Sequence, residues 1–174
     1  ISGAIYLIND ICDLESDRLH PEKRTRPLAS GALPVRSAVM AAVVCLVMGI
    51  GLAFTRSWET GLTATGYAAV ALCYSLYLKH IVLVDVLTIA AGFVLRATAG
   101  AVCIPVAISP WLIICTVLLS LFLALNKRRH ELLLLGEDAV LHRSNLAHYS
   151  ARMLTALIYL VTAGTIAAYT LYTV

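Results

Sequence analysis

The chain has 174 residues, of which 60 % are hydrophobic and only 13 % charged, with a formal net charge of +3. Soluble globular domains carry about 25 % charged residues, so this composition excludes an ordinary water-soluble fold and indicates an integral membrane protein. A membrane β-barrel is excluded too, because the apolar residues come in long runs rather than in period-2 alternation.

In chain order, the segment from Ile1 to about Arg18 reads as the end of a helix. Its polar part, Asn9-Asp10-Ile11-Cys12-Asp13-Leu14-Glu15-Ser16-Asp17, places Asp10, Asp13 and Asp17 at i, i+3 and i+7. At 100° per residue these three and Asn9 fall within about 100° of one helix face. The following run, with Arg18, Lys23, Arg24 and Arg26 ahead of Pro27, would hang over that face. Carboxylates that can hold Mg²⁺ beside cations that can hold phosphate read as a site for a phosphorylated substrate. The plainer alternative is a capped helix end with solvated charges.

The uncharged stretches 37–55, 60–78 and 153–174 reach or approach the length of about 20 residues that crosses a bilayer. Stretch 97–126 is too long for one span; Pro105 and Pro110 mark a turn, giving spans 81–103 and 109–125. Five spans are therefore expected after the opening helix. If they alternate, loops 18–36, 79–80 and 127–152 share one side and hold eleven lysines and arginines, Arg18 and Lys79 among them, whereas the opposite loops hold only Arg56. That asymmetry places the basic loops in the cytoplasm. Gly49, Gly51, Gly61, Gly66, Gly92 and Gly100 suit close packing between helices. Cys12, Cys45, Cys73, Cys103 and Cys115 are scattered singly, as expected of buried thiols rather than of a metal or disulfide framework. The chain opens part way through a helix, in a segment that does not read as a secretory signal, and closes in an apolar span, so a piece of a larger bundle is expected.

Two further polar clusters lie on the cytoplasmic side. Lys79 and His80 follow Tyr74-Ser75-Leu76-Tyr77-Leu78, and Asn126-Lys127-Arg128-Arg129-His130-Glu131 closes the span that begins at 109. Glu131 stands at i+4 from Lys127 and i+3 from Arg128, which would hold the cations in place. A basic cluster at a helix end is also what the topology bias alone supplies, but Asn126 and Glu131 are not required by it. This cluster can converge with the first motif over one cavity. Within the span between them, Asp85 and Arg96 share a face but lie about 16 Å apart along the axis, so each needs another partner. Arg96 is a candidate cation for the substrate. His20, His130, His142 and His148 show no metal spacing and read as surface or interfacial residues.

NDICDLESD followed by EKRTRPLASG resembles the first aspartate-rich motif and following loop of the UbiA superfamily of intramembrane prenyltransferases. More narrowly, DRLHPEKRTRPLASG, LKHIVLVDVLTIAAGFVLRATAGA and SPWLIICTVLLSLFLALNKRRHELLLLG resemble its decaprenyl-phosphate phosphoribosyltransferase branch. The resemblance implies an all-α membrane bundle with a cytoplasm-facing polar cavity, here a single transmembrane domain over 1–174 lacking its first helix and its last ones. The superfamily's prenyltransferases use a second aspartate-rich motif to hold a second Mg²⁺ on the prenyl diphosphate. NKRRHE is basic at that place, which suits a further phosphate and so a phosphoribosyl diphosphate donor. The acceptor is then a polyprenyl (decaprenyl) phosphate, the product a step toward lipid-linked pentose for cell-wall arabinan.

On this resemblance Asp10, Asp13 and Asp17 are the catalytic, Mg²⁺-binding carboxylates, with Asn9 fixing their geometry. Lys23, Arg24, Arg26, Lys127 and Arg128 neutralise phosphates, Lys79 binds donor or acceptor, and Tyr74, Arg96 and Glu131 complete the substrate-binding set. The expected location is a bacterial plasma membrane, multi-pass, with the site facing the cytoplasm; a homo-oligomer is compatible with this and no nucleic-acid partner is expected. Two other readings stand beside it. An aromatic prenyltransferase with a polyprenyl diphosphate donor would need acidic residues at the second motif. A transporter would spread its charges along the spans instead of gathering them at one face.

Overall fold

The computed structural model describes residues 1–104, 106–135 and 149–173, and among these all regular structure is helical. The helices group into two compact units, Ile1–Tyr77 and Leu78–Val174. The first contains α1 (Ser2–Cys12), α2 (Leu14–Leu19), α3 (Val35–Arg56) and α4 (Trp58–Leu76). The second contains α5 (Val84–Cys103), α6 (Pro110–Leu135) and α7 (Ala151–Thr173).

In the first unit α1 packs against both α3 and α4. Small side chains let the helices approach: Ala4 of α1, Ala38 and Ala42 of α3, and Ala64 and Ala68 of α4 are buried. Tyr67 reaches Ser2 with its hydroxyl at 3.2 Å. Ser57 alone separates α3 from α4, and its Oγ accepts the Thr60 amide at 3.1 Å, an N-cap that satisfies one of the orphan donors of α4. Behind this reversal the Phe54 and Trp58 rings lie 5.2 Å apart, and a Cβ on Gly61 would come within 2.2 Å of the Phe54 ring. Gly61→Ala is therefore expected to lower stability by about 1–3 kcal/mol through overpacking, read as a fall in Tm of the detergent-solubilised protein; an unchanged Tm would mean that Phe54 moves aside freely.

Among the described residues four helices, α3, α5, α6 and α7, are long and apolar enough to cross a membrane. The fifth expected span, 60–78, is helical only to Leu76 and does not qualify. Glu59, Thr60, Thr63, Thr65 and two glycines make α4 too polar by composition. The expected packing role of the glycines also holds only in part. A Cβ on Gly49 would meet Ile1 at 2.6 Å, but Gly51, Gly66 and Gly100 have nothing within 4 Å among the described residues. Nor are the cysteines buried. Cys12, Cys45 and Cys73 are exposed and Cys103 and Cys115 half-buried, all five as free thiols.

In the second unit α6 packs against both α5 and α7. Val86, Ala124, Leu125, Tyr149 and Leu154 form the core, with Val82, Ile89, Leu121 and Val161 packed around it. The break between α5 and α6 falls where it is expected, with Pro110 as the first residue of α6, a place where its missing N–H costs nothing. Pro105, Arg143, His142 and His148 lie outside the described residues. The predicted end of the span at 125 is not the end of the helix. α6 runs on to Leu135, so its 26 residues extend about 39 Å, more than the roughly 30 Å of a hydrocarbon core. Residues 126–135 are largely lysine, arginine, glutamate and leucine, strong helix formers, and the polar cluster is therefore helical rather than a loop.

Candidate functional site

The first unit assembles the acidic face at a break in the helix. α1 ends at Cys12 and α2 begins at Leu14, with Asp13 between them at φ −96°, ψ 6°, in the bridge region between helix and strand. The hydrogen-bond register nevertheless continues: the Asp13 amide donates to the Asn9 carbonyl at 2.9 Å and the Asp17 amide to the Asp13 carbonyl at 2.8 Å. The face expected from the i, i+3, i+7 spacing thus survives the break. Asn9 Nδ2 donates to Asp13 Oδ2 at 3.0 Å, which orients that carboxylate.

The basic run does fold over this face, through Arg26. Its Nη1 donates to Asp10 Oδ1 at 2.7 Å and to Asp17 Oδ2 at 2.8 Å. The turn that returns Arg26 is built on His20. Expected at the surface or at an interface, His20 is only 2 % exposed, and its Nδ1 accepts the amides of Glu22 and Lys23 at 3.2 and 3.3 Å. The ring satisfies backbone donors that the tight turn cannot pair internally, and no spacing in the sequence signals this. Lys23, half-buried, and Arg24, exposed, lie in the 3-10 turn Lys23–Thr25 ahead of Arg26.

Among the described residues no three His, Cys, Asp or Glu side chains gather as a metal cage. Mg²⁺ does not require one, since it is usually held by one or two carboxylates together with substrate phosphates and water. The donors here are hard oxygens. Asp10 and Asp17 already share one cation, the Arg26 guanidinium, and Asn9 Oδ1 is buried without a hydrogen-bond partner. These residues fit a magnesium–phosphate group.

Burial pushes the Asp17 carboxyl above its ordinary value of 3.8; Arg26 and Lys23 oppose this, and Asp13 and Asp10 add to it. A carboxyl that holds its proton more tightly folded than unfolded makes stability fall as pH rises from the unfolded value through the folded one. Ionised Asp17 therefore costs stability at neutral pH. Asp17→Asn is expected to have a higher Tm than the unmodified protein at pH 7, with the difference closing as pH falls toward 3.8. A lower Tm at pH 7 would show that the Arg26 bridge outweighs burial.

The second unit holds a different arrangement. Arg128 Nε lies 3.3 Å from Asp85 Oδ2, and Nη1 pairs with Glu131, the i, i+3 contact expected from the sequence. Arg128 is 1 % exposed and Asp85 fully buried. Both were without a partner across helices at the level of sequence; the structure joins them, so that Arg128, expected among the phosphate ligands, is a buried cation held by two carboxylates. Glu131, 7 % exposed, is the second of these carboxylates. The neighbouring Lys127 is exposed, and Arg129 Nε donates to Thr155 Oγ1 of α7 at 3.0 Å. Lys79 is buried in the 3-10 turn Leu78–His80. Arg96 lies over the Phe93 ring at 4.8 Å, and Tyr74 is half-buried on α4 of the first unit.

Tyr149 completes the second arrangement. Its hydroxyl donates to Asp85 Oδ1 at 2.7 Å and accepts the Leu83 amide at 2.7 Å. Burial and the Asp85 hydrogen bond hold this phenol well above the usual range, so it stays protonated. No motif or spacing singles out Tyr149.

The chain matches the profile of the UbiA prenyltransferase family over residues 1–174. It is 35 % identical over 173 residues to a protein of Corynebacterium glutamicum named decaprenyl-phosphate phosphoribosyltransferase, an alignment covering 98 % of this chain and 52 % of that one. A protein of the same name from Mycobacterium tuberculosis is 34 % identical over 153 residues, covering 88 % and 51 %. The protein y4nM of Sinorhizobium fredii is 43 % identical over 131 residues, 75 % of this chain and 25 % of that one. The chain spans about half the length of the two phosphoribosyltransferases.

Proposed function

Because this chain belongs to the UbiA prenyltransferase family, we propose that its protein transfers the 5-phosphoribosyl group of phosphoribosyl diphosphate to a polyprenyl phosphate and releases pyrophosphate. It is a multi-pass membrane protein. In this reading it works at the cytoplasmic face of a bacterial plasma membrane, making a lipid-linked pentose for a cell-wall polysaccharide such as arabinan. The observation that carries the reading is the acidic face of the first unit, where Asp10 and Asp17 already share a cation and Asn9 orients Asp13.

The anomeric C–O bond to pyrophosphate breaks and a bond to the lipid phosphate oxygen forms, so the main requirement is charge stabilisation on the leaving diphosphate. Asp10, Asp13 and Asp17 would hold Mg²⁺, which when bound neutralises that developing charge. Asn9 keeps the Asp13 carboxylate aimed. Arg26 releases part of its hold on Asp10 and Asp17 to meet phosphate, with Lys23 and Arg24 in the adjoining turn as further phosphate ligands. Lys127, exposed beside the buried Arg128, is the member of the second motif that can bind the sugar phosphate. The nucleophile is anionic at neutral pH and needs no general base.

The test uses the full-length protein in lipid nanodiscs. Pyrophosphate release from phosphoribosyl diphosphate should require both a polyprenyl phosphate and Mg²⁺. Release without the lipid, or prenyl transfer from a polyprenyl diphosphate to an aromatic acceptor, would overturn the reading.

A further inference from the structure

Leu83 is the only non-glycine among the described residues with a positive φ, 63°, where a side chain is strained. It lies between the 3-10 turn Leu78–His80, which carries Lys79, and the first turn of α5, which carries Asp85. Hydrogen bonds link the two: the Ile81 amide donates to the Leu78 carbonyl at 3.1 Å and the Asp85 amide to the Ile81 carbonyl at 3.1 Å. Such a conformation persists only where its surroundings over-determine it. Here the Leu83 amide is taken by Tyr149, 66 residues away in sequence, whose hydroxyl also donates to Asp85.

We infer that Tyr149 is a positioning residue. Its hydroxyl clamps the turn that carries Lys79 onto the buried Asp85–Arg128–Glu131 cluster, and so sets the affinity of Lys79 for a phosphate-bearing substrate. The clamp has two anchors. Tyr149 itself sits in the apolar core with Val86 and Leu154, and Val82 packs against that core, so losing the hydroxyl alone leaves the packing in place. What it removes is the restraint on Leu83, and the strain at that residue then drives the turn away. The role of Lys79 toward phosphate rests on the function proposed above; the clamp itself does not.

The experiment compares full-length unmodified protein with Tyr149→Phe, Leu83→Gly and the double variant in nanodiscs. Two quantities are read: KM and kcat with phosphoribosyl diphosphate, and the rate at which an amine-directed reagent labels Lys79. Tyr149→Phe is expected to raise the KM for the donor about tenfold with kcat little changed, and to label Lys79 faster. Glycine tolerates positive φ, so adding Leu83→Gly should restore both values toward those of the unmodified protein. A lower Tm with unchanged labelling and unchanged KM would reduce Tyr149 to a packing residue and overturn the inference, as would failure of Leu83→Gly to rescue. If the unmodified protein releases no pyrophosphate, the proposed function fails by itself. Labelling then decides the clamp: faster labelling reversed by Leu83→Gly upholds it, and unchanged labelling overturns it.

Discussion

Asp13→Ala in the full-length protein is expected to lower pyrophosphate release by about a thousandfold at saturating Mg²⁺ and to leave the fold intact, the scale of losing one electrostatic contact to the developing charge. The structure bears on the second half. Asp13 sits at the junction of α1 and α2, only partly buried, and accepts a side-chain hydrogen bond from Asn9. Its own backbone, not its carboxylate, carries the helical register through the break. Turnover should be measured beside the circular dichroism and Tm of the same sample. Near-normal turnover would remove Asp13 from the site, and lost turnover with lost helicity would make it structural.

The second large effect is on stability. Arg128→Ala would remove the cation that pairs with the buried Asp85 and Glu131 carboxylates, and breaking a buried ion pair from one side typically costs about 3–5 kcal/mol. Lys127→Ala should differ in kind. An exposed lysine contributes little to the fold, but one charge-assisted hydrogen bond to phosphate contributes about 1.5–3 kcal/mol, so donor affinity should fall at least about tenfold with Tm unchanged. Measuring Tm and donor binding on the two single variants separates a structural cation from a ligand. If Arg128→Ala keeps its Tm and loses only donor affinity, the buried assignment is wrong. Replacing both residues together would merge the two effects.

What the sequence by itself determined is what depends on neighbours a few residues apart. The membrane class, the all-helical fold and the helix break at Pro110 follow from composition and from runs of apolar residues. The shared face of Asn9, Asp10, Asp13 and Asp17 follows from the helical period, and it outlasts the interruption at Asp13 because the i to i+4 hydrogen bonds continue across it. Tertiary structure decided which charges meet. Arg26 spans Asp10 and Asp17 only because the turn at His20 brings the chain back. Two adjacent cations, Lys127 and Arg128, look alike in sequence. One is exposed and the other is held by Asp85, because successive residues on a helix point about 100° apart and only one direction faces α5. Tyr149, 64 residues from Asp85, carries no signal in its local pattern, since a contact over that separation is created by the packing of α5, α6 and α7 and by nothing nearer.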